Sequence, residues 1–333
     1  MLMSPWHGDY HGDINMVMTY WGIFGTNHLE IGEPFFETFS HLLPISKQQT
    51  MELYGIDGVK YPIATLDTGV ELTGDYYRIM QCTSGFYALV YWWRYLYEQD
   101  VDVLRETIFP VLEECSKFYL GIARERDGIL YFGPSWAPEQ GPFPCYNSTN
   151  DISLIKPLWE AYAEACEILS LDTPWLQRVR EGLGKFPPYP EKDGLFLDSC
   201  TATDPIPLNH PGLLAMVVPG EDVDAEHELA STAARTMEAM FDLTIRKGFE
   251  GRRAFCCDLT WPWLVAVAAK LGLGDVADRY LMDIGVSEHL KPNGMFTLNC
   301  CAHFSTQADK RRAFTFSDTN RHGAIFWCPT TQR

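Results

Sequence analysis

Apolar residues recur at the 3.6-residue period in stretches that come in pairs, and this pairing limits the fold more than any single motif. Phe86, Leu89, Val90, Trp93, Leu96 and Tyr97 mark a helix over 84–98, and Leu104, Ile108, Val111, Leu112, Cys115, Phe118 and Ile122 mark a second over 100–123. Each stripe turns one face toward a partner; joined by a short turn, the two predict a helical hairpin. The same pattern predicts helices over 151–170 and 172–185, then over 258–271 and 275–289. Helices over 13–24, 27–43 and 224–246 complete the series. Pro34 falls in an early turn, where its missing N–H costs nothing. Alternating strands are absent apart from a short extended piece over 129–132, which argues against a doubly wound sheet or a β/α barrel. The expectation is an all-α chain, a ring of helical hairpins of the (α/α)6 type, with long loops at one end around a central cavity.

Those loops carry the polar clusters. Residues 54–84, rich in Gly, Asp, Tyr and Thr, read as a loop able to close over a site. Residues 133–142 hold three Pro and two Gly, which freeze a loop rather than loosen it. Another loop spans 187–209, after which His210 opens a short apolar segment closed by Pro219-Gly220. The last forty residues are loop-rich.

Charge excludes some partners. Lys and Arg number 26 against 44 Asp and Glu, a net charge of −18 without a basic face, so nucleic acid and anionic membranes are poor partners. No apolar run approaches about 18 residues, so no transmembrane helix is expected. The N-terminus has neither the basic start nor the apolar stretch of a signal peptide, which reads as a cytoplasmic protein or an excerpt of a longer precursor. The ten Cys include two vicinal pairs, Cys256-Cys257 and Cys300-Cys301, but no Cys-x-x-Cys, and are read mostly as reduced thiols; Cys115 and Cys166 lie on apolar helix faces. No tight His/Asp/Glu ligand spacing is present, so neither metal nor cofactor is expected.

The opening, Trp6 to Trp21, gathers His7, His11, Asp9, Asp13 and Asn15 among Trp and Tyr. The plain reading is a loop and first helical turn, with Ile14, Met16, Val17 and Tyr20 facing the core and the polar residues solvated or capping. The density of the cluster favours a pocket for a polyhydroxylated ligand, with rings on the ligand's C–H faces and polar groups on its hydroxyls. Ten Trp and sixteen Tyr suit such a cleft. Glu139, in the Pro-rich loop beside Trp136, reads either as an exposed loop carboxylate or as one partly desolvated among Trp and Pro, and desolvation raises a carboxyl pKa toward what a general acid needs. Asp13, Asn15 and Asp318 are further catalytic candidates. His11, Trp21, Trp136, His210 and Asn320 are candidate substrate contacts. Hydrolysis of a glycosidic bond needs an acid on the departing oxygen and a base or nucleophile across the ring, roughly 6.5–9.5 Å apart in an inverting enzyme.

The run Asp9-Tyr10-His11-Gly12-Asp13-Ile14-Asn15-Met16-Val17-Met18-Thr19-Tyr20-Trp21 resembles the signature of glycoside hydrolase family 95, the inverting α-L-fucosidases and related α-L-galactosidases. Pro134-Ser135-Trp136-Ala137-Pro138-Glu139 resembles the family's Pro-Ser-x-Ser-Pro-Glu loop. His210 to Gly220 is similar to its His-rich segment, and Phe316-Ser317-Asp318-Thr319-Asn320 to its Gln-Ile-Asp-Gly-Asn. The likeness runs in order over nearly the whole chain.

It implies an (α/α)6 catalytic barrel, Glu139 as general acid, and a water activated by the Asn15 amide with Asp318 polarising it. The family has Asn where Asp13 stands, so Asp13 is either a direct base or a contact to a sugar hydroxyl. Thr19, Gly22 and Gln140 also depart from the pattern. Relatives carry β-rich domains before and after the barrel; the chain is expected to be a single catalytic domain over 1–333 without them, lacking at least one barrel helix at each end. The resulting function is removal of terminal α-L-fucosyl or α-L-galactosyl groups from an oligo- or polysaccharide. Two alternatives remain. A phosphorylase or other (α/α)6 glycosidase is one, though the phosphorylase calls for a basic pocket near Asp13. An inactive carbohydrate-binding barrel is the other.

Overall fold

The computed structural model describes residues 9–74, 77–137, 143–203, 211–241 and 259–290, together with 292 and 294. Among these residues every long element is a helix, and the strands are two- or three-residue pieces. Contacts divide them into two compact units. The first runs through Pro190 and takes in Asp198–Thr203; the second takes in Glu191–Leu197 and the described residues from 211 onward.

In the first unit the helices are α1 (Asn15–Gly25), α2 (Glu33–Tyr54), α3 (Cys82–Glu98), α4 (Val101–Val103), α5 (Phe109–Ile122), α6 (Thr149–Leu169) and α7 (Pro174–Leu183). Helix α2 carries Pro34 in its first turn, as expected, but runs past residue 43 to Tyr54, where Gly55 (φ 66°) closes it. Its buried face continues through Ser46 and Thr50. These two small polar residues hide the apolar stripe from a pattern search, and Thr50 satisfies its hydroxyl internally by donating to the Ser46 carbonyl at 2.7 Å. Helix α4 starts at Asp100, whose carboxylate accepts the Asp102 and Val103 amides at 2.9 and 3.1 Å. A π-turn over Leu104–Ile108 then leads into α5, and the wider turn falls just before Pro110, which has no N–H to give.

Helix α3 is the axis of this unit. It packs against α1, α5 and α6, and every residue from Cys82 to Trp92 is buried. Gly85 permits the closest approach: a Cβ there would come within 2.5 Å of the Leu154 Cβ on α6. Leu96 and Tyr97, in the last turn, face solvent instead of the core. Phe35, Phe36 and Phe39 of α2 interlock with Tyr87 and Tyr91 of α3 and with Tyr61. Burying each Phe contributes about 1.5–3 kcal/mol. Tyr61 donates to the Phe39 carbonyl at 3.0 Å and Tyr91 to that of Phe36 at 2.7 Å, so these hydroxyls enter the core without an unmet hydrogen bond.

Residues 54–84, expected as a loop free to close over a site, are pinned over their first half. Gly58–Thr65 is buried throughout, with Tyr61 and its neighbours packed beneath α3. Further on, β3 (Arg124–Arg126) and β4 (Ile129–Tyr131) form a hairpin whose turn, Asp127-Gly128, has φ 54° and 80°.

The second unit holds β5 (Glu191–Lys192) and β6 (Leu195–Phe196), paired about a second Asp-Gly turn at 193–194, with α8 (Ala230–Phe241), α9 (Thr260–Lys270) and α10 (Gly274–Tyr280). Helix α8 begins at 230 and not at 224, because the Asp224 carboxylate accepts the Glu226 and His227 amides at 3.0 and 3.1 Å and holds a turn there. Phe241 stacks on Tyr280 at 4.0 Å, joining α8 to α10. The apolar segment is a run of tight turns buried over 211–217, with Trp263 donating to the Val218 carbonyl at 2.6 Å. Helix 275–289 continues from α10 as a π-helical stretch over Leu281–His289. Residues 295–333 and the two vicinal Cys pairs lie outside the described residues, whose cysteines (82, 115, 145, 166 and 200) are free thiols.

Candidate active site

Two residues of strand, β1 (Tyr10–His11), set the position of the candidate site. Alone they would not hold, but they pair antiparallel with β2 (Ala64–Thr65), Tyr10 opposite Thr65 and His11 opposite Ala64. The Gly12 amide extends the ladder by donating to the Ile63 carbonyl at 2.6 Å. The chain then turns through Gly12, Asp13 and Ile14 into α1, where Ile14 and Val17 sink into the core. Asp13 and Asn15 go in with them, left 3% and 8% exposed.

The N-cap residue of α1 is Ile14, whose side chain makes no capping bond. A buried polar group costs free energy unless it is bonded. The Asn15 amide oxygen is buried without a hydrogen-bond partner, an acceptor that a hydroxyl or a water can satisfy. The Asp13 carboxyl is felt by two groups on α3. Burial, and next the Asp13 charge, keeps the Tyr87 phenol protonated far above its ordinary range; burial, Asp151 and then Asp13 do the same to the Cys82 thiol. Asp13 and Asn15 are thus brought to one turn, as the sequence leads one to expect.

His11 lies beside them with Nε2 3.1 Å from the Asp9 carboxylate, which orients the imidazole. The sequence places Asp9 in the polar cluster, and the structure makes it the partner of His11. Trp21 sits further along α1, half-buried, with its ring edge-on to Trp93 at 6.1 Å. Trp136 is half-buried, and its ring meets Tyr77 at 4.8 Å.

The Pro-rich loop has a fixed stem. Ser135 and Cys145 exchange both backbone hydrogen bonds, at 3.0 and 2.9 Å, and Gln81 donates its amide to the Pro134 carbonyl at 2.8 Å. Asn147 braces the same stem: its side chain accepts from the Phe132 amide at 2.8 Å and donates to the Leu130 carbonyl at 3.1 Å. Glu139 at the centre of this loop lies outside the described residues, as do His210, Asp318 and Asn320.

Two further carboxyls were not foreseen. Asp151, in the first turn of α6, is raised to about 7 by burial, with the Ser135 hydroxyl offsetting part of that. Asp198 is raised to about 8 by burial alone, and both its oxygens are buried without a partner. Both press on the Cys145 thiol, whose pKa rises by burial first. Burial thus favours the protonated form of both carboxyls, more strongly at Asp198 than at Asp151. Among the described residues no group of His, Cys, Asp and Glu could hold a metal ion, and no helix is long and apolar enough to cross a membrane.

Comparison with known proteins sets these residues in a family. The chain is 25% identical to alpha-L-fucosidase 2 of Arabidopsis thaliana over 94% of its own length and 38% of that protein's. It is 29% identical to "Probable alpha-fucosidase A" of Aspergillus niger over 42% of its length and 19% of the other's. It therefore spans well under half of either relative. Among solved structures, a glycosidase in complex with glucose superposes with a TM-score of 0.64 at 14% identity, over 89% of this chain and 79% of the other. That likeness concerns the fold alone, which is of the (α/α)6 barrel type. The sequence profile of the glycosyl hydrolase family 95 catalytic domain matches residues 1–315, a span that holds the Asp13 turn and the Pro-rich loop alike, and the chain belongs to that family.

Proposed function

We propose that this chain is the catalytic part of a glycoside hydrolase that removes terminal α-L-fucosyl groups, or the related α-L-galactosyl groups, from oligo- or polysaccharides by a single displacement with inversion. The observation that carries the proposal is the burial of Asp13 and Asn15 on one turn, with the Asn15 amide oxygen unpartnered, in a motif resembling that of the inverting α-L-fucosidases. The names of the two relatives support the same substrate class.

In this reading Glu139 gives its proton to the departing glycosidic oxygen as that bond breaks. Water attacks the anomeric carbon from the opposite face and its proton passes to a carboxylate, to Asp318 through the Asn15 amide or directly to Asp13. Asn15, polarised by Asp318, orients and activates that water, and Asp13 stands beside it. Trp21 and Trp136 offer aromatic faces to the sugar; His11, His210 and Asn320 take its hydroxyls. A general acid and a general base each contribute about 10²–10⁴-fold.

The test is hydrolysis of aryl α-L-fucoside, α-L-galactoside, α-D-glucoside and β-D-galactoside, with proton NMR of the first sugar formed. Release of β-L-fucose or β-L-galactose from the matching α-glycoside is the expected result. Retained configuration overturns the single displacement. A folded protein that binds fucose without turning over any of these substrates is the inactive binding barrel.

A further inference from the structure

Between α2 and α3 lies a buried charge pair for which the glycosidase reading has no use. The Glu71 carboxylate accepts five hydrogen bonds: from Lys60 Nζ at 3.3 Å, the Ile63 amide at 2.9 Å, the Ala64 amide at 3.2 Å, the Thr73 amide at 3.1 Å and the Thr73 hydroxyl at 2.7 Å. Its own amide donates to Gln49 Oε1 at 2.9 Å, and Gln49 Nε2 donates to the Gly69 carbonyl at 2.7 Å, which ties this segment to α2. Lys60 is almost fully buried, and its amide donates to the Thr50 hydroxyl at 2.8 Å. Burial works to raise the Glu71 pKa, but the Lys60 charge and the Ile63 and Thr73 donors hold it below the ordinary value.

A buried ion pair is a poor stabiliser, because desolvation offsets most of the attraction. The backbone that Glu71 holds explains the arrangement better. Ile63, whose amide is bound by Glu71, offers its carbonyl to the Gly12 amide; Ala64, likewise bound, faces His11 across the ladder. One carboxylate therefore lies a single peptide unit from the hydrogen bonds that seat the Gly12–Asp13 turn.

We propose that Glu71 is a positioning residue for the Asp13–Asn15 turn: by clasping the Ile63 and Ala64 amides it sets the depth and register at which β1 delivers that turn. The proposal rests on reading the turn as the active site. Glu71 and Lys60 also wall a cleft of about 330 Å³ beside Tyr54 and Arg78, so a shortened side chain at 71 is replaced by water and not by collapse.

Two variants separate the clasp from the ion pair. Lys60→Met removes the cation but leaves the four other donors to Glu71. Lys60→Met/Glu71→Ala removes the clasp without leaving a lone buried charge. Hydrogen exchange by mass spectrometry on the full chain, with kcat and KM on an aryl α-L-fucoside, reads both. The single variant is expected to keep native exchange over residues 9–17 and a kcat within about threefold, as positioning errors and not charge control the rate. The double variant is expected to exchange at least about tenfold faster over 9–17 with α5 and α6 unchanged, and to lose about 10–100-fold in kcat with little change in KM. Equal effects of the two variants overturn the proposal, as does faster exchange spread evenly over all helices. The expected exchange pattern in a protein without turnover supports the clasp and counts against the fucosidase reading.

Discussion

The Tyr87 hydroxyl lies 2.5 Å from the point that a Cβ on Gly12 would occupy, and the Pro62 carbonyl lies 2.8 Å from it. The turn that carries Asp13 is thus pressed between an aromatic post on α3 and the backbone of the neighbouring strand. Gly12→Ala is expected to cost about 1–3 kcal/mol in urea unfolding, the usual penalty for a methyl forced into filled space. Adding Tyr87→Phe removes the hydroxyl but not the carbonyl, so only part should return. A Gly12→Ala protein as stable as the parent would mean that the turn has slack.

Asn15→Ala removes the unpartnered amide oxygen at the site and is expected to lower kcat at least about 100-fold, the lower bound for an activating group. Asp13→Asn gives the residue that the family pattern carries and is expected to keep kcat within about tenfold, in line with Asn15 as the group that activates water. Complete loss of turnover in Asp13→Asn, with sugar binding intact, assigns the base to Asp13.

Stability should fall as pH rises. Asp151 and Asp198 titrate near 7 and 8 in the folded chain and near 3.8 when unfolded. Between those limits the folded state holds protons that the unfolded state has released. Their contribution is thus complete below about pH 4 and is lost as pH climbs through 7 to 8, each with a slope of about −1.4 kcal/mol per pH unit. Urea midpoints at pH 5, 6.5 and 8 should decrease in that order. Asp151→Asn and Asp198→Asn should each flatten the trend.

Asn147 holds two buried backbone groups of the Pro-rich loop's stem, the Phe132 amide and the Leu130 carbonyl. Asn147→Ala leaves both without partners and should cost about 2–6 kcal/mol, with about 1–3 for each unmet group. Calorimetry measures the loss; a change under about 0.5 kcal/mol, the level of a neutral surface substitution, would show that water replaces the amide.

The helical hairpins are legible in the sequence because residues such as Phe86, Leu89 and Val90 are large and periodic. Helix α2 is not legible to its end, since Ser46 and Thr50 are buried by their neighbours and not by their own chemistry. The strands Arg124–Arg126 and Glu191–Lys192 are charged and exposed, and only their Asp-Gly turns announce them. At the site, Asp13 and Asn15 can be read locally, since a short turn carries both. Glu71, Asp151 and Asp198 cannot: what makes a carboxyl buried or clasped is the packing of segments distant in sequence.

The burial of α3 on every side has a consequence during synthesis. Residues 82–92 need α1, α5 and α6 around them, and α6 is completed only at Leu169. At about 5–20 residues per second, the roughly 70 residues after Glu98 take about 4–14 s to emerge from the ribosome. For that interval a helix whose residues 82–92 are all buried in the finished fold is made but not covered. Chaperone demand and yield should therefore depend on how fast the segment from Gln99 to Leu169 is translated, and slow codons there should be more harmful than slow codons after it.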